Sequence, residues 1–344
     1  MPAPLATTLA GIPLRNPVLL AAGASGTLDE FGDVLDLSRI GGVVAKSITR
    51  EPREGNPTWR IIEHRAGMLN AIGLANPGIV KFEESYLPRA AAMPCAVLGS
   101  VAGFGVDDYV VVCAAMDEWG RRPAEGTDQP APHARSTPGS DVPARANPAA
   151  PSLDAIELNV SCPNVKTGCT FSLHAPALRE LVVEVRKVMT RTRLIVKLSP
   201  MVTDLNELAK AAIDAGADAL TISNTLPAMA IDVHTRAPRL ANTTGGLSGP
   251  GLHPVAVRLV YECWSRVCKD GLGRGRPVPI IGAGGVLTWE DAAEFILAGA
   301  SAVQMGTGLF VDPRSPLKVA RGLEKWVRSQ GCSSISELVG AVRP

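Results

Sequence analysis

Cys162 stands in the run Asn-Val-Ser-Cys-Pro-Asn over 159–164, just past an apolar segment with strand character. Pro163 has no backbone N–H, so the chain must leave a sheet there, which places the thiol on a loop. A free thiol titrates at roughly 8.5, so with modest help it can act as a base near neutral pH. Cys95, Cys113, Cys263, Cys268 and Cys332 lie in apolar or helical stretches or near the terminus, with no polar group around them, and read as structural. Cys169 shares the loop Pro163 to Ser172, a segment placed to act as a lid. Lys46 and Lys197, with the amides Asn159, Asn164 and Asn224, fall in or at the ends of apolar runs. Strands that merely stop at polar residues would explain Ser or Gly there. They explain lysines poorly, because a buried lysine is rare without a partner. Two glycine turns complete the set, Gly282 to Gly285 and Gly306 to Gly308. Glycine lets backbone approach an anion, and a following helix offers free N–H groups, so the pair reads as a phosphate site.

Eight short apolar runs must position these groups. They are Val18 to Ala22, Gly42 to Lys46, Ala96 to Ser100, Ala155 to Val160, Leu194 to Leu198, Ala219 to Ser223, Val278 to Ala283 and Ala302 to Gly306. Near-continuous apolar character, rather than alternation, is what parallel strands covered on both faces need. Helices fit between them. One follows Thr203 and ends at Gly216, another spans Asp107 to Glu118, and a third starts at Thr288 with Asp291 three residues on and stops at Gly299. Eight strand–helix units predict an α/β fold, a (β/α)8 TIM barrel, with a short N-terminal hairpin over Leu5 to Arg15. Residues 1–344 then form one barrel domain. Within it the Pro- and Ala-rich stretch 119–152 has almost nothing to bury and reads as a disordered insertion on the face away from the site.

Composition narrows the function. The formal charge is +1, from 34 basic and 33 acidic residues, which gives no reason to expect a nucleic-acid partner. The seven cysteines form no C-x-x-C pair and the five histidines are scattered, so no disulfide framework and no metal is expected. No apolar stretch reaches membrane-spanning length and the first residues lack a signal-peptide pattern, so the expectation is a cytoplasmic protein with no membrane association. The residues alone thus describe a barrel enzyme with a phosphorylated cofactor, a cysteine base, and lysine and asparagine ligands.

The chain resembles the class 1 dihydroorotate dehydrogenases from Gly11 to about Pro313. The motifs are Ala-Ser-Gly-Thr (24–27), Ala-Lys-Ser (45–47), Pro-Arg-Glu-Gly-Asn-Pro (52–57) and Gly-Met-Leu-Asn-Ala-Ile-Gly-Leu (67–74). They continue with Glu-Leu-Asn-Val-Ser-Cys-Pro-Asn-Val-Lys (157–166), Val-Lys-Leu-Ser-Pro (196–200) and Gly-Gly-Leu-Ser-Gly-Pro (245–250). The 52–78 stretch and Met-Ala-Ile-Asp (229–232) resemble the NAD-linked subclass, 1B, more than the fumarate-linked one.

The resemblance implies oxidation of dihydroorotate to orotate in pyrimidine (UMP) biosynthesis, with FMN as cofactor. It implies a homodimeric core, and for the NAD-linked subclass a heterotetramer with a subunit carrying FAD and an iron–sulphur cluster. Residues implied at the flavin are Ser25, Lys46, Ser47, Asn159, Lys197, Ser223, Gly249, Gly284, Gly285, Gly306 and Thr307, with Ser100 where the family usually has Asn. Those implied around the pyrimidine are Lys46, Asn70, Ala71, Ile72, Gly73, Leu74, Asn159, Asn164, Asn224 and Thr225. Cys162 is the implied base, with Lys46 and Asn159 beside it at the reacting centre. Pro227-Ala228, Cys169, Ser172 and the 119–152 stretch depart from the family pattern, and none removes a catalytic group. The rival readings are a dihydropyrimidine dehydrogenase-type subunit, the fumarate-linked enzyme, and a flavin-binding subunit without catalysis.

Overall fold

The structure is a computed structural model that describes residues 4–121, 153–160 and 171–343. Eight parallel strands close into a barrel in sequence order. They are β1 (Val18–Leu20), β2 (Gly42–Ile48), β3 (Ala96–Val101), β4 (Ala155–Asn159), β5 (Arg193–Leu198), β6 (Ala219–Ile222), β7 (Ile280–Ala283) and β8 (Ala302–Met305), and β8 pairs with β1. Helices Val106–Asp117, Ala175–Val188, Leu205–Asp214, His253–Cys263 and Trp289–Ala298 follow β3 to β7. The expected capping box forms, with Thr288 accepting from Asp291 N, and Gly299 ends that helix at φ 123°. The helix expected after Thr203 is capped by Asp204, whose carboxylate accepts from Asn206 N.

Side chains along a strand alternate between faces, so a barrel interior fills in layers. One cluster at its base takes a residue from every strand: Leu19, Val44, Leu98, Ala155, Ile195, Ala219, Ile281 and Ala302. The N-terminal hairpin, Thr7–Leu9 paired with Ile12–Leu14, plugs this end with Leu9, Ile12 and Leu14. Two residues further along β3, β4, β5, β6 and β8 stand Ser100, Glu157, Lys197, Thr221 and Gln304. The layer above the apolar plug is therefore polar, and it forms the floor of the site.

Three expected strand ends shift by two residues, and the others hold to within one. β7 begins at Ile280 rather than Val278, because Pro277 and Pro279 have no N–H for the ladder. β1 stops at Leu20, short of Ala22, and β2 runs past Lys46 to Ile48. An additional four-stranded antiparallel sheet was not expected. Its order is Leu226–Ala228, Gly245–Ser248, Gly67–Asn70, Ile61–His64. Of the 119–152 segment, 122–152 lie outside the described residues. At its start Trp119 packs against the core, Gly120 bridges to Leu153, and Arg121 pairs with Asp154 at 3.5 Å.

Candidate active site

A cavity of about 220 Å³ opens at the C-terminal ends of the strands. Barrel residues supply its floor and the additional sheet one wall, through Ile61, Met68, Asn70 and Ser248. Of the residues expected to bind, Lys46, Ser47, Asn70, Ile72, Gly73, Leu74, Asn159, Lys197, Ser223, Asn224, Thr225, Gly249, Gly284, Gly285, Gly306 and Thr307 line it. The fold thus gathers groups spread over more than 260 residues of sequence, from Lys46 to Thr307. Ser25, Ala71 and Ser100 do not line it, although all three are buried. Ala71 serves the wall instead, its carbonyl accepting from Asn56 Nδ2 at 2.9 Å. Cys162 and Asn164 lie outside the described residues, as does Cys169.

An irregularity in β2 explains why Lys46 and Ser47, consecutive in sequence, both face the cavity. Pairing with β3 shifts register between Val44 and Ser47, and a bulge re-aims side chains that strict alternation would send to opposite faces. A chain of amides and hydroxyls then crosses the floor. Ser100 Oγ lies 2.9 Å from Ser47 Oγ, Asn159 Nδ2 donates to Ser47 Oγ at 3.2 Å, and Asn224 Nδ2 donates to Asn159 Oδ1 at 3.0 Å. Asn224 Oδ1 accepts from Thr225 N at 2.8 Å, and Tyr109 Oη fixes the Asn159 backbone carbonyl at 2.9 Å. These bonds lock each amide's orientation, which matters because an amide presents a donor on one side and an acceptor on the other.

Beneath this chain lies an ionic group that the sequence reading passed over. Glu157 is fully buried, and its Oε2 accepts from Thr221 Oγ1 and Gln304 Nε2, each at 2.6 Å. Gln304 Oε1 accepts from Lys197 Nζ at 3.1 Å, and that ammonium is 3.7 Å from Glu157 Oε1. Single charged or amide residues inside the apolar runs Ala-Ile-Glu-Leu and Ala-Val-Gln-Met were the available signal. Ser248, which accepts from Thr307 Oγ1 at 2.8 Å, and Phe310 also line the cavity and were not foreseen.

The glycine-rich end fits a phosphate-bearing ligand. A Cβ at Gly306 would meet nothing nearer than Ala21 Cβ at 3.6 Å, so the missing side chain leaves open space in the cavity. Gly285 is glycine for a different reason: its φ is +72°, and a Cβ would lie 2.6 Å from Gly249 O. His253 backs the turn, one ring nitrogen 2.8 Å from Gly284 O and the other 3.2 Å from Glu294 Oε2. Ser25 Oγ is buried and has no hydrogen-bond partner among the described residues, as expected of a hydroxyl kept for a ligand.

No described cysteine lines the cavity. Burial pushes the Cys95 thiol up to about 12 and raises Cys113 well above the ordinary thiol range. Cys263 is raised by its contact with Cys268, 3.6 Å away, and then by burial. None of these three can supply a base near neutral pH. Among the described residues no group of His, Cys, Asp or Glu could hold a metal ion, and no helix is long and apolar enough to cross a membrane.

Comparison with known proteins gives a consistent result. Residues 4–122 and 139–327 match the family model described as dihydroorotate dehydrogenase. The dihydroorotate dehydrogenase B (NAD(+)) catalytic subunit of Bacteroides thetaiotaomicron is 38% identical over 341 residues, 99% of each chain. Its namesake from Desulforudis audaxviator is 42% identical over 336 residues, 98% of this chain and 96% of its own. A relative from Aquifex aeolicus, 40% identical over 336 residues (98% of this chain, 97% of its own), bears a name that places it with the fumarate-linked enzymes. Among solved structures, DHODH in complex with ferulenol from Eimeria tenella superposes with a TM-score of 0.75. It covers 98% of this chain and 88% of that one at 21% identity, which speaks for the fold.

Proposed function

The chain belongs to the dihydroorotate dehydrogenase family, and from that premise we propose that it oxidises (S)-dihydroorotate to orotate in pyrimidine biosynthesis, with FMN as cofactor. The observation that carries the reading is the cavity itself. It holds two lysines, a locked row of amides and an open glycine face at the ends of one barrel's strands.

In this reading Gly284, Gly285, Gly306 and Thr307 hold the FMN phosphate, with Gly249 beside them. Ser25, Ser47, Ser100, Asn159, Lys197 and Ser223 serve the rest of the cofactor, Ser25 and Ser100 from just behind the cavity wall. When bound, FMN supplies the acceptor for the hydride that leaves carbon 6 of the substrate. Asn70, Asn159, Asn164 and Asn224, with Thr225, present alternating donors and acceptors to the ring's carbonyl and N–H edge. Lys46 neutralises negative charge on the substrate, and Ala71 to Leu74 shape the wall beside it. Cys162 takes the proton from carbon 5, which is acidified by the adjacent carbonyl. Its support is the motif 159–164, together with the raised thiols of Cys95, Cys113 and Cys263. Electrons then pass to NAD through a second subunit. The segments 52–78 and 229–232 and the names of several relatives favour this route, whereas overall identity does not separate it from the fumarate-linked one. A homodimeric core accompanies it.

Cys162→Ala tests the assignment in the reductive half-reaction. The variant should retain FMN and lose flavin reduction by dihydroorotate about 10²- to 10⁴-fold, the usual weight of a general base. Full-rate reduction by the variant would remove Cys162 from the mechanism.

A further inference from the structure

The polar floor contains one charged group that the reaction just described does not use. Glu157 is fully buried on β4 and does not line the cavity. It touches three groups. Oε2 accepts from Thr221 and from Gln304, both at 2.6 Å. Oε1 has no hydrogen-bond partner among the described residues and faces Lys197 Nζ at 3.7 Å. These bonds also decide how Gln304 lies. Its NH₂ is committed to Glu157, so its carbonyl turns to the Lys197 ammonium at 3.1 Å. Lys197 and Gln304 both line the cavity.

We propose that Glu157 is a positioning residue that balances the charge of Lys197 and orients Gln304, and so sets the reduction potential of the flavin bound above them. This rests on the flavin reading of the cavity. A hydride adds negative charge to the flavin, and an ammonium at the cavity floor stabilises that charge. A carboxylate 3.7 Å behind the ammonium opposes the effect, and with Glu157 fully buried and the Lys197 side chain only 11% exposed the pair is weakly screened. The Glu157–Lys197 pair is neutral overall. Loss of the carboxylate leaves the pair at plus one and loss of the ammonium removes the charge nearer the flavin, so the two losses move the potential in opposite directions and partly offset each other when combined. A carboxylate that merely filled hydrogen bonds in the core would produce no such pattern, because a glutamine would fill them with little effect on the flavin.

The test is the midpoint potential of FMN in the holoprotein, measured by equilibration with a reference dye. The proteins are wild type, Glu157→Gln, Lys197→Met and the double variant. Glu157→Gln should raise the potential and Lys197→Met should lower it, each by a tenfold or larger change in the equilibrium, about 30 mV for a two-electron couple. The double variant should lie between the two single variants. Glu157→Gln with an unshifted potential, beside a shifted Lys197→Met, overturns the proposal. Lys197→Met with both FMN affinity and potential unchanged instead overturns the placing of flavin over Lys197. If Glu157→Gln alone releases its flavin, the double variant decides: a potential as low as that of Lys197→Met contradicts the compensation, and a potential clearly above it supports it.

Discussion

Gly306 gives the sharpest separation between a residue kept for the fold and one kept for a ligand. A Cβ there would sit 3.6 Å from Ala21 Cβ and 3.9 Å from Ala24 Cβ, ordinary contact distances, and its φ of −117° lies outside the left-handed region, although with ψ at −82° it sits at the margin of what an alanine adopts. Gly306→Ala should therefore cost the flavin-free protein only about 1 kcal/mol. The added methyl projects into the cavity, where it competes with the cofactor. Overpacking of one methyl costs about 1–3 kcal/mol, so FMN affinity should fall roughly 5- to 150-fold. Gly285→Ala is the contrast. With φ at +72° and Gly249 O 2.6 Å from the new Cβ, the left-handed strain alone costs about 1–2 kcal/mol of stability, before any clash. Fluorescence titration of the flavin-free protein with FMN, beside its denaturant unfolding curve, reads both quantities. Wild-type affinity in Gly306→Ala would refute the placing of the cofactor against this turn. A stability loss matching that of Gly285→Ala would show that Gly306 serves the backbone.

Two further outcomes follow from the proposed site and the fold around it. Iodoacetamide at pH 8 should modify Cys162 and be slowed by orotate, while Cys95, held near 12 by burial, stays protonated and unmodified in the folded protein. Peptide mapping checks this, and labelling of Cys95 as fast as Cys162 would contradict it. Asp117 is a structural counterpart away from the cavity. It is buried and accepts from the backbone N–H groups of Thr190, Arg191 and Thr192 and from the Thr192 hydroxyl. Asp117→Ala leaves these donors unmet and should cost about 3 kcal/mol in urea unfolding with FMN affinity unchanged. A tenfold loss of affinity would show that the two ends of the barrel are coupled.

The barrel was legible because each strand is an apolar run of its own, bounded by helix caps such as Thr288–Asp291 and stops such as Gly299. Strand ends drifted where local chemistry is subtle. Pro279 delays β7, and the β2 irregularity carries that strand past Lys46. The additional sheet was illegible because its pieces are three or four residues long, and its central pairing joins Met68 to Ser248 across 180 positions. Site residues at strand ends were found because polar residues are conspicuous there. Glu157, Thr221 and Gln304 sit inside strands and were read as part of the apolar runs. Counting two residues up from the apolar layer, Ala155 to Glu157 and Ala302 to Gln304, exposes them, but only once that layer is known. Ser100 is expected at the flavin, and its hydroxyl meets Ser47, which itself lines the cavity.

The central claim is a flavin that dihydroorotate reduces in this cavity. The direct measurement is the visible spectrum of the purified chain, recorded before and after dihydroorotate is added without oxygen. A yellow protein that bleaches with dihydroorotate and not with dihydrouracil is the predicted result. Bleaching by dihydrouracil instead, or a colourless protein that FMN cannot reconstitute, would contradict the account.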